Sequence, residues 1–325
     1  MLFVPSLILP DTLPSDEAIK SGKETRHDYD PEFWEFRYKL YRYLERVPDD
    51  ELEARYLGIL KNMRAIISRD RHVIPIGTFL SSWYWYRKEH QTRYEFYLRG
   101  VELPTEHPEG VLDNLQPNAP ARPRHPNAGD LIFRYTATHW AQQMVDNGAL
   151  RLTPASRYGD SEMNVARKDV ECEKTSYMPG QHVRITTLDG REIPVKGNVS
   201  KAISAPDYYV LSMSCDWDDS LFDDFESDEC VLIHNPKSFT GQLSRAASAQ
   251  LPGWYFHHNP VEYFDPYEMI PNHGVTAGNS KDFVYAYQRE YRFQWMPLNE
   301  ERTRGYIDLE LGPLKYFAHM HGRPT

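Results

Sequence analysis

The 325-residue chain has few cysteines, and they follow no pairing pattern. Cys172, Cys215 and Cys230 are an odd number and include no C-x-x-C spacing. Disulfide-dependent secreted domains and cysteine-rich zinc sites need more cysteines at closer spacing. The cysteine content therefore predicts a cytoplasmic protein without a disulfide framework.

Long apolar runs are also missing. The apolar N-terminus, "MLFVPSLILPDTLPSDE", is broken by prolines and has no basic leader. A transmembrane helix needs about 20 predominantly apolar residues, and no later segment approaches that length. We interpret the N-terminus as a packing arm and expect neither a signal peptide nor contact with a membrane.

Two further absences concern cofactors and partners. The chain contains no G-x-G-x-x-G fingerprint and no P-loop, which argues against Rossmann-type dinucleotide binding and P-loop phosphate binding. Its 37 Lys and Arg are outnumbered by 47 Asp and Glu, for a formal net charge of −10. Nine of the acids lie between Asp207 and Glu229, a stretch without Lys or Arg. This balance excludes a broadly basic nucleic-acid surface but allows a local one.

Helical periodicity dominates the first third of the chain. Apolar residues recur at helical spacing in "PEFWEFRYKLYRYLERV", "DDELEARYLGILKNMRAIISRD" and "TFLSSWYWYRKEHQTRYEFYLRG", which predicts three helices. The proline-rich segment Gln116–Gly129 then predicts a domain boundary. We expect residues 1–126 to form a helical accessory or target-binding domain. In its first helix, the predicted buried stripe consists of Phe33, Phe36, Leu40 and Leu44.

Short strands dominate the remainder, residues 127–325. "DLIFRYT", "LRLTP", "YYVLSMS", "CVLIHN" and "GYIDLEL" are typical of strands, and "ATHWAQQMVDNGAL" of a helix closed by glycine. Many strands with few helices predict an α+β fold rather than a doubly wound sheet. "KDFVYAYQREYRFQW", Lys281–Trp295, is predicted as one strand with an aromatic face. Its polar face carries Gln288 and Glu290, whereas Arg289 falls among the rings and needs a buried partner.

Polar residues suited to catalysis occur on three of these predicted strands. Arg134 lies on the first, Ser212-x-Ser214 on a middle one, and Gln288-x-Glu290 on a late one. In this order they resemble the arginine–serine–glutamate subclass of the ADP-ribosyltransferase fold. "RYTATHWAQQMVDNGALRL", "LSMSCDWDDSLFDDF" and "YQREYR" are also similar to signatures of an uncharacterised bacterial family related to that fold. The resemblance covers roughly residues 128–315.

The resemblance implies a split β-sheet and an NAD-dependent glycosyltransferase, an ADP-ribosyltransferase that uses NAD as substrate. Cleaving the nicotinamide–ribose bond builds positive charge on the sugar, as in glycoside hydrolysis. A fixed carboxylate can stabilise that charge. The resemblance assigns this catalytic role to Glu290 and positioning of the nucleophile to Gln288. Glu290 should then face a cleft, with Gln288 at its entrance.

The resemblance also implies a set of NAD-binding residues. Arg134 would clamp the pyrophosphate through its planar guanidinium, and the two serines would brace the catalytic carboxylate and the nicotinamide ribose. An aromatic ring, Tyr158 or Phe225, would stack on the nicotinamide. The predicted cofactor-binding residues are Arg134, Tyr135, Ser212, Ser214, Tyr158 and Phe225.

The resemblance leaves the acceptor open, because enzymes of this kind modify proteins, tRNA, DNA or mRNA. It implies a bacterial toxin or phage-defence effector, with an antitoxin or inhibitory protein as a possible partner. We slightly favour RNA, because the third helix interleaves aromatic rings with basic residues and such a surface can hold a single strand. The alternative is that these rings pack within the helical bundle. The basic residues are Arg87, Lys88, Arg93 and Arg99.

Two rival functions remain open. One is a non-catalytic binding protein on the same fold, for which Arg134 and Glu290 should be far apart or held in ion pairs with other side chains. The other is an NAD glycohydrolase, which would release nicotinamide without modifying a macromolecule.

Other segments carry weaker signals. "CDWDDSLFDDFESDEC" lacks the glycine of an EF-hand and is predicted as an acidic amphipathic helix, which could dock a basic partner such as an antitoxin. The histidine pairs have no third ligand at diagnostic spacing, so no metal is predicted. No motif supports Cys215 as a nucleophile. The histidines concerned are His257, His258, His319 and His321.

Overall fold

The structure is a computed structural model that describes residues 30–67, 82–104, 130–159, 171–180, 183–268, 275–299 and 302–324. The predicted N-terminal arm and the boundary segment Gln116–Gly129 lie outside these ranges. The described α-helices are α1 (Pro31–Tyr41), α2 (Asp49–Ile67), α3 (Ser82–Arg99), α4 (Thr138–Asn147), α5 (Ser220–Asp224) and α6 (Pro236–Gln250), and 3-10 helices span Ala155–Gly159 and Phe283–Gln288.

The strands are mostly antiparallel, so the predicted α+β class is confirmed. They are β1 (Ile132–Thr136), β2 (Ala149–Pro154), β3 (Glu173–Pro179), β4 (Ile185–Thr186), β5 (Glu192–Ile193), β6 (Asn198–Ser204), β7 (Tyr209–Ser214), β8 (Glu229–Ile233), β9 (Trp254–Pro260), β10 (Glu262–Phe264), β11 (Ser280–Asp282), β12 (Glu290–Pro297), β13 (Ile307–Glu310) and β14 (Ala318–Gly322).

The main sheet has eight strands and is branched. Along one edge β7 pairs with β12, which in turn pairs with β9. Along the other edge β7 pairs first with β2 and then with β1. One branch continues from β2 to β13, and the other from β1 through β8 to β14. The two branches therefore diverge along a single strand.

Helices α4 and α6 cover one face of this sheet. Their apolar residues pack in one cluster with Leu211, Phe293 and Trp295 of the central strands. Helix α4 ends at Gly148, which adopts a left-handed φ of 67° and donates its backbone N–H to the last turn. This glycine stop is the one that the sequence predicts.

The long strand predicted over Lys281–Trp295 is wrong in its first half. Phe283–Gln288 forms a 3-10 helix, and the strand β12 begins only at Glu290. Arg289 joins the two with a left-handed φ of 44°, which breaks the strand geometry because alternation needs extended backbone on both sides. From Tyr291 onward the aromatic face lies in the core as predicted.

The helices α1, α2 and α3 pack as an aromatic bundle, but α1 buries a different face from the predicted one. Trp34 and Tyr38 are buried, whereas Phe36 and Leu40 are 58% and 55% exposed. Helix α1 ends at Tyr41, before Leu44. Trp34 and Tyr38, which are four residues apart, therefore form the buried face of α1.

The helical bundle shares its core with a later part of the chain. Val261, Tyr263 and Phe283 belong to the same buried cluster as the helices. Arg55 of α2 donates to both oxygens of Asp265, at 2.8 and 2.7 Å. Lys88 of α3 donates to the same carboxylate at 2.6 Å. These buried ion pairs join the bundle to the 261–286 segment.

Helix α3 does not present the basic aromatic surface that motivated the RNA preference. Its ring Trp85 is fully buried against Phe283. Its basic residues Lys88, Arg93 and Arg99 are each held by carboxylates. The alternative, that its rings pack within the bundle, describes the structure. None of the described helices combines the length and apolarity that crossing a bilayer requires.

Candidate functional site

The predicted site residue Arg134 lies where the two branches of the sheet separate. Pro154 and Thr153 of β2 pair with the first residues of β7, and Phe133 of β1 pairs with the last, Ser214. In the part of β7 between these two pairings, the Arg134 guanidinium donates from Nη1 to the Ser212 carbonyl oxygen, at 2.5 Å. A split in the sheet thus places a half-buried arginine beside the predicted Ser-x-Ser strand.

Tyr158 also lies next to strand β7. It lies in the 3-10 helix that follows β2 and packs beside Val210 of β7. Burial raises the pKa of the Tyr158 hydroxyl, the Arg134 charge lowers it, and the Glu290 charge raises it. Tyr158 therefore lies beside β7, the strand whose Ser212 carbonyl oxygen accepts from Arg134.

Glu290 is not open to a cleft as predicted, because cations enclose its carboxylate. Arg292 donates from Nε to Oε1 at 2.7 Å, and Lys281 donates from Nζ to Oε2 at 3.0 Å. The backbone N–H of Glu290 donates to the Tyr263 hydroxyl at 2.8 Å. Glu290 is 5% exposed, and Arg292 is completely buried.

The electrostatics of Glu290 follow from this enclosure. Burial acts to raise the pKa of its carboxyl, but Arg292 and Lys281 outweigh burial and hold the pKa well below its usual range. The strands that carry Ser212 and Glu290 are paired, with Ser212 opposite Arg292 and Ser214 opposite Glu290. Glu290 is an anion at neutral pH and cannot act there as a general acid.

A second buried carboxylate, Glu171, extends the network. Arg292 donates from Nη2 to Glu171 Oε1 at 2.7 Å and from Nη1 to the Gly278 carbonyl oxygen at 2.7 Å. Lys174 lies 3.7 Å from the other oxygen of Glu171. The side of β12 opposite its aromatic face is therefore a buried layer of paired charges, which we call the polar layer.

Gln288 lies in the polar layer but not on the strand of Glu290. It is the last residue of the 3-10 helix and is 3% exposed, so its predicted place at a cleft entrance is wrong. Its Oε1 accepts from Lys281 Nζ at 3.0 Å, and its Nε2 donates to the Tyr287 hydroxyl at 3.2 Å. Lys281 thus bridges the two predicted catalytic side chains.

Ser214 differs from Ser212 in what it contacts. Its hydroxyl donates to the Gln288 carbonyl oxygen at 2.8 Å and accepts from the Asp216 N–H at 3.2 Å. These contacts fasten the end of β7 to the start of β12. Arg289 has the structural role that its position predicts, because its guanidinium donates to the buried Asp216 carboxylate.

Two predicted NAD-binding rings, Tyr135 and Phe225, lie in another cluster. They pack against each other with ring centres 6.0 Å apart, next to Trp217. The Tyr135 hydroxyl accepts from the Asp218 N–H at 2.7 Å. Since this hydroxyl braces the turn after β7, the role that the structure gives Tyr135 is structural.

The sequence interpretation missed Lys281, Arg292 and Tyr263, and it gave the acids of "RKDVECE", which include Glu171, only a minor possibility of being a second catalytic carboxylate. Arg292 carried a usable signal, since it falls two residues after Glu290 and strand alternation puts both on one face. Lys281 comes from the preceding strand β11, Glu171 and Tyr263 come from more distant segments, and none of the three has a motif. They meet Glu290 only because the chain folds back over β12.

The acidic segment and the histidines have other places. The acidic segment does not form the long amphipathic helix that was predicted, because helix α5 has only five residues. Its Leu221 is buried together with Trp217. His257 and His258 lie on β9, and His319 and His321 on β14. Within the described ranges, no three His, Cys, Asp or Glu side chains are grouped to hold a metal ion.

Comparison with known proteins adds no relative. No protein-family profile, no curated protein and no solved structure matches the chain.

Proposed function

We propose that the protein is an NAD-consuming ADP-ribosyltransferase whose substrate enters where β1 and β2 diverge. One observation carries the proposal: Arg134 donates to the Ser212 carbonyl oxygen, Glu290 lies on the strand paired with that of Ser212, and Tyr158 packs beside Val210 of the same strand. A guanidinium suited to phosphate oxygens, a ring suited to stacking and an ionised carboxylate are the groups that NAD cleavage needs.

The chemistry assigned to these residues is a displacement at the ribose. Glu290 accepts hydrogen bonds from ribose hydroxyls and stabilises the cationic sugar as the nicotinamide C–N bond breaks. Nicotinamide leaves with the bonding electrons, the acceptor nucleophile bonds to the anomeric carbon, and the acceptor's proton passes to solvent. Because Lys281 and Arg292 hold the carboxylate, substrate binding replaces at least one of these contacts.

A nicotinamide-release assay tests the proposal. Protein is incubated with NAD labelled in the adenylate part, with and without cell lysate, and both free nicotinamide and labelled macromolecules are measured. Glu290→Gln should lower turnover by about 100-fold or more, as loss of a transition-state electrostatic contact does. Glu262→Gln, which changes an exposed carboxylate on β10, is the matched control and should leave turnover unchanged.

A second candidate is a non-catalytic binding protein on the same scaffold. It is favoured by one observation, namely that Glu290 is buried in ion pairs with Lys281 and Arg292. The same assay separates the candidates. Folded protein that releases no nicotinamide in any lysate supports the binding protein. Release without a labelled macromolecule supports an NAD glycohydrolase.

The acceptor is best sought without a prior preference for RNA, since α3 is buried in the bundle. Treating the labelled product with nuclease or protease identifies its class. A toxin or phage-defence role, with an inhibitory partner, remains part of the proposal and is tested by growth of cells expressing wild type or Glu290→Gln.

A further inference from the structure

A cavity of about 330 Å³ lies between helix α2, strand β3, the turn after β10, and the residues at and just after the end of β11. Its wall includes two carboxylates, Glu51 and Asp282, and the buried guanidinium of Arg55. None of these residues belongs to the proposed NAD site. Pockets of a few hundred Å³ with apolar walls and a few polar groups are the usual form of small-molecule sites.

Aromatic rings form one side of the cavity. Tyr177 and Tyr267 are stacked, with ring centres 5.0 Å apart and planes at 16°. The Arg55 guanidinium lies over Tyr267 at 5.8 Å from the ring centre. The backbone fixes this wall, because the Tyr177 N–H donates to the Pro266 carbonyl oxygen at 2.7 Å. A flat ligand can therefore rest against a preformed aromatic surface.

Arg55 lines the cavity with a buried, ion-paired side chain. Both its Nη atoms are engaged with Asp265. Its Nε is buried, and no acceptor in the described residues reaches it. The whole side chain is 4% exposed. A buried N–H without a partner is costly, and this one lies within the wall, where it has almost no accessible surface.

Glu51 brings an acceptor to the same wall. It lies one helical turn before Arg55 on α2, so the two side chains are neighbours on one face of the helix. The Tyr267 hydroxyl donates to Glu51 Oε2, which holds the carboxylate against the aromatic wall. The intervening Ala54 lines the cavity with a small side chain. A tyrosine pair and a carboxylate thus line one space.

We propose that this cavity binds a guanine base. Guanine is flat, it presents two adjacent N–H donors on one edge, and it carries O6 and N7 as acceptors. The donor edge suits the Glu51 carboxylate, which can accept from two adjacent N–H groups. The tyrosine pair supplies the stacking that isolated bases find on proteins.

Adenine fits this arrangement less well. Its corresponding edge offers an acceptor nitrogen beside a single amino group, so one carboxylate oxygen of Glu51 would face a lone pair. Inosine keeps the ring N–H of guanosine but lacks its exocyclic amine. Comparing these nucleosides therefore measures each contact in turn.

Isothermal titration of the full-length protein with guanosine, inosine and adenosine tests the proposal, without NAD. Guanosine should bind most tightly, followed by inosine and then adenosine. Glu51→Gln should weaken guanosine binding by about tenfold, the scale of one charge-assisted hydrogen bond, and reduce the discrimination. The side-chain oxygen of the glutamine can still accept from the Tyr267 hydroxyl, so the aromatic wall should keep its structure.

Two ring variants provide the matched pair. Tyr177→Ala should weaken the binding of all three nucleosides by about tenfold, the scale of one stacking contact. Tyr177→Phe should bind them as tightly as the wild type does. Guanosine binding no tighter than adenosine, or undiminished in Glu51→Gln, would overturn the proposal. So would preferential binding of an arginine-containing peptide, the other planar donor that a carboxylate accepts. If Tyr177→Ala does not fold, Glu51→Gln at the exposed end of α2 still decides.

The guanine site stands apart from the proposed NAD chemistry. Glu290→Gln should keep its affinity for guanosine, and Glu51→Gln should keep its nicotinamide release. Failure of either assay therefore leaves the other interpretable.

Discussion

Arg292 and Glu290 are two residues apart on one strand and bind each other, with Nε 2.7 Å from Oε1. Both side chains leave β12 on the same face, because alternate residues of a strand do so. The same guanidinium reaches Glu171 with its Nη2. One arginine therefore neutralises two buried carboxylates from distant parts of the chain, and the polar layer depends on it.

Arg292→Met should destabilise the fold strongly. It leaves Glu290 and Glu171 buried without their shared cation, and breaking a buried pair costs about 3–5 kcal/mol. Arg151→Met is the control, because Arg151 and Asp308 form an ion pair on the surface, where such pairs are worth about 0–1 kcal/mol. Urea unfolding at neutral pH measures both losses. Equal losses would show that the polar layer is not held by Arg292.

The stability of the protein should fall in acid because of two buried carboxylates. Burial opposes ionisation of both, but Arg292 and Lys281 hold the pKa of Glu290 well below its usual range, and Arg55 and Lys88 do the same for Asp265. A depressed folded-state pKa gives stability that is complete above the unfolded value, about 4 for these groups. That stability is lost as the pH falls towards the folded-state pKa.

Urea unfolding between neutral pH and about pH 3 measures this effect as a slope of stability against pH. Glu290→Gln removes one of the titrating groups, so its slope below about pH 5 should be shallower, by up to about 1.4 kcal/mol per pH unit. Glu262→Gln removes an exposed carboxylate and should leave the slope unchanged. A wild-type slope in Glu290→Gln would contradict the ionised, paired state of that residue.

The sequence predicted the parts of the fold that depend on local patterns. Strand β7 and the glycine that ends α4 follow from alternation and from the left-handed C-cap. The aromatic face of β12 followed too, but only after Arg289. The break before it could not be predicted, because the left-handed Arg289 is fixed by its ion pair with Asp216, and that partner follows a different strand.

The candidate site was predicted only in part, for a related reason. Ser212 and Glu290 lie on paired strands, with Ser212 opposite Arg292, and it was the resemblance rather than strand periodicity that placed them together. Lys281 reaches Glu290 from β11, which pairs with β10 instead of the main sheet. A lysine in that segment has no periodic relation to β12. Burial of Glu290 was therefore invisible in the sequence, although its position on the strand was not.

Gly148 should be much less tolerant of a side chain than Gly100. Both adopt a left-handed φ, of 67° and 66°. A Cβ at Gly148 would lie 2.3 Å from the Gly312 carbonyl oxygen, whereas one at Gly100 meets nothing within 4 Å. Gly100→Ala should cost about 1 kcal/mol, the left-handed penalty alone. Gly148→Ala should cost more than that, since backbone must move. Thermal unfolding of the two variants gives the comparison, and equal losses would contradict the close approach.

Residues 127–325 should not fold alone, although the sequence places a boundary before them. The helices bury Val261, Tyr263, Phe283 and Ala286, which would be exposed without them. Asp265 would also lose Arg55 and Lys88, its buried partners, and an unpaired buried charge is strongly destabilising. The fragment should be insoluble or lack a cooperative unfolding transition, and co-expression with residues 1–126 should rescue it. A soluble fragment that unfolds cooperatively by itself would show that the shared core is dispensable, and that the boundary separates independent folding units.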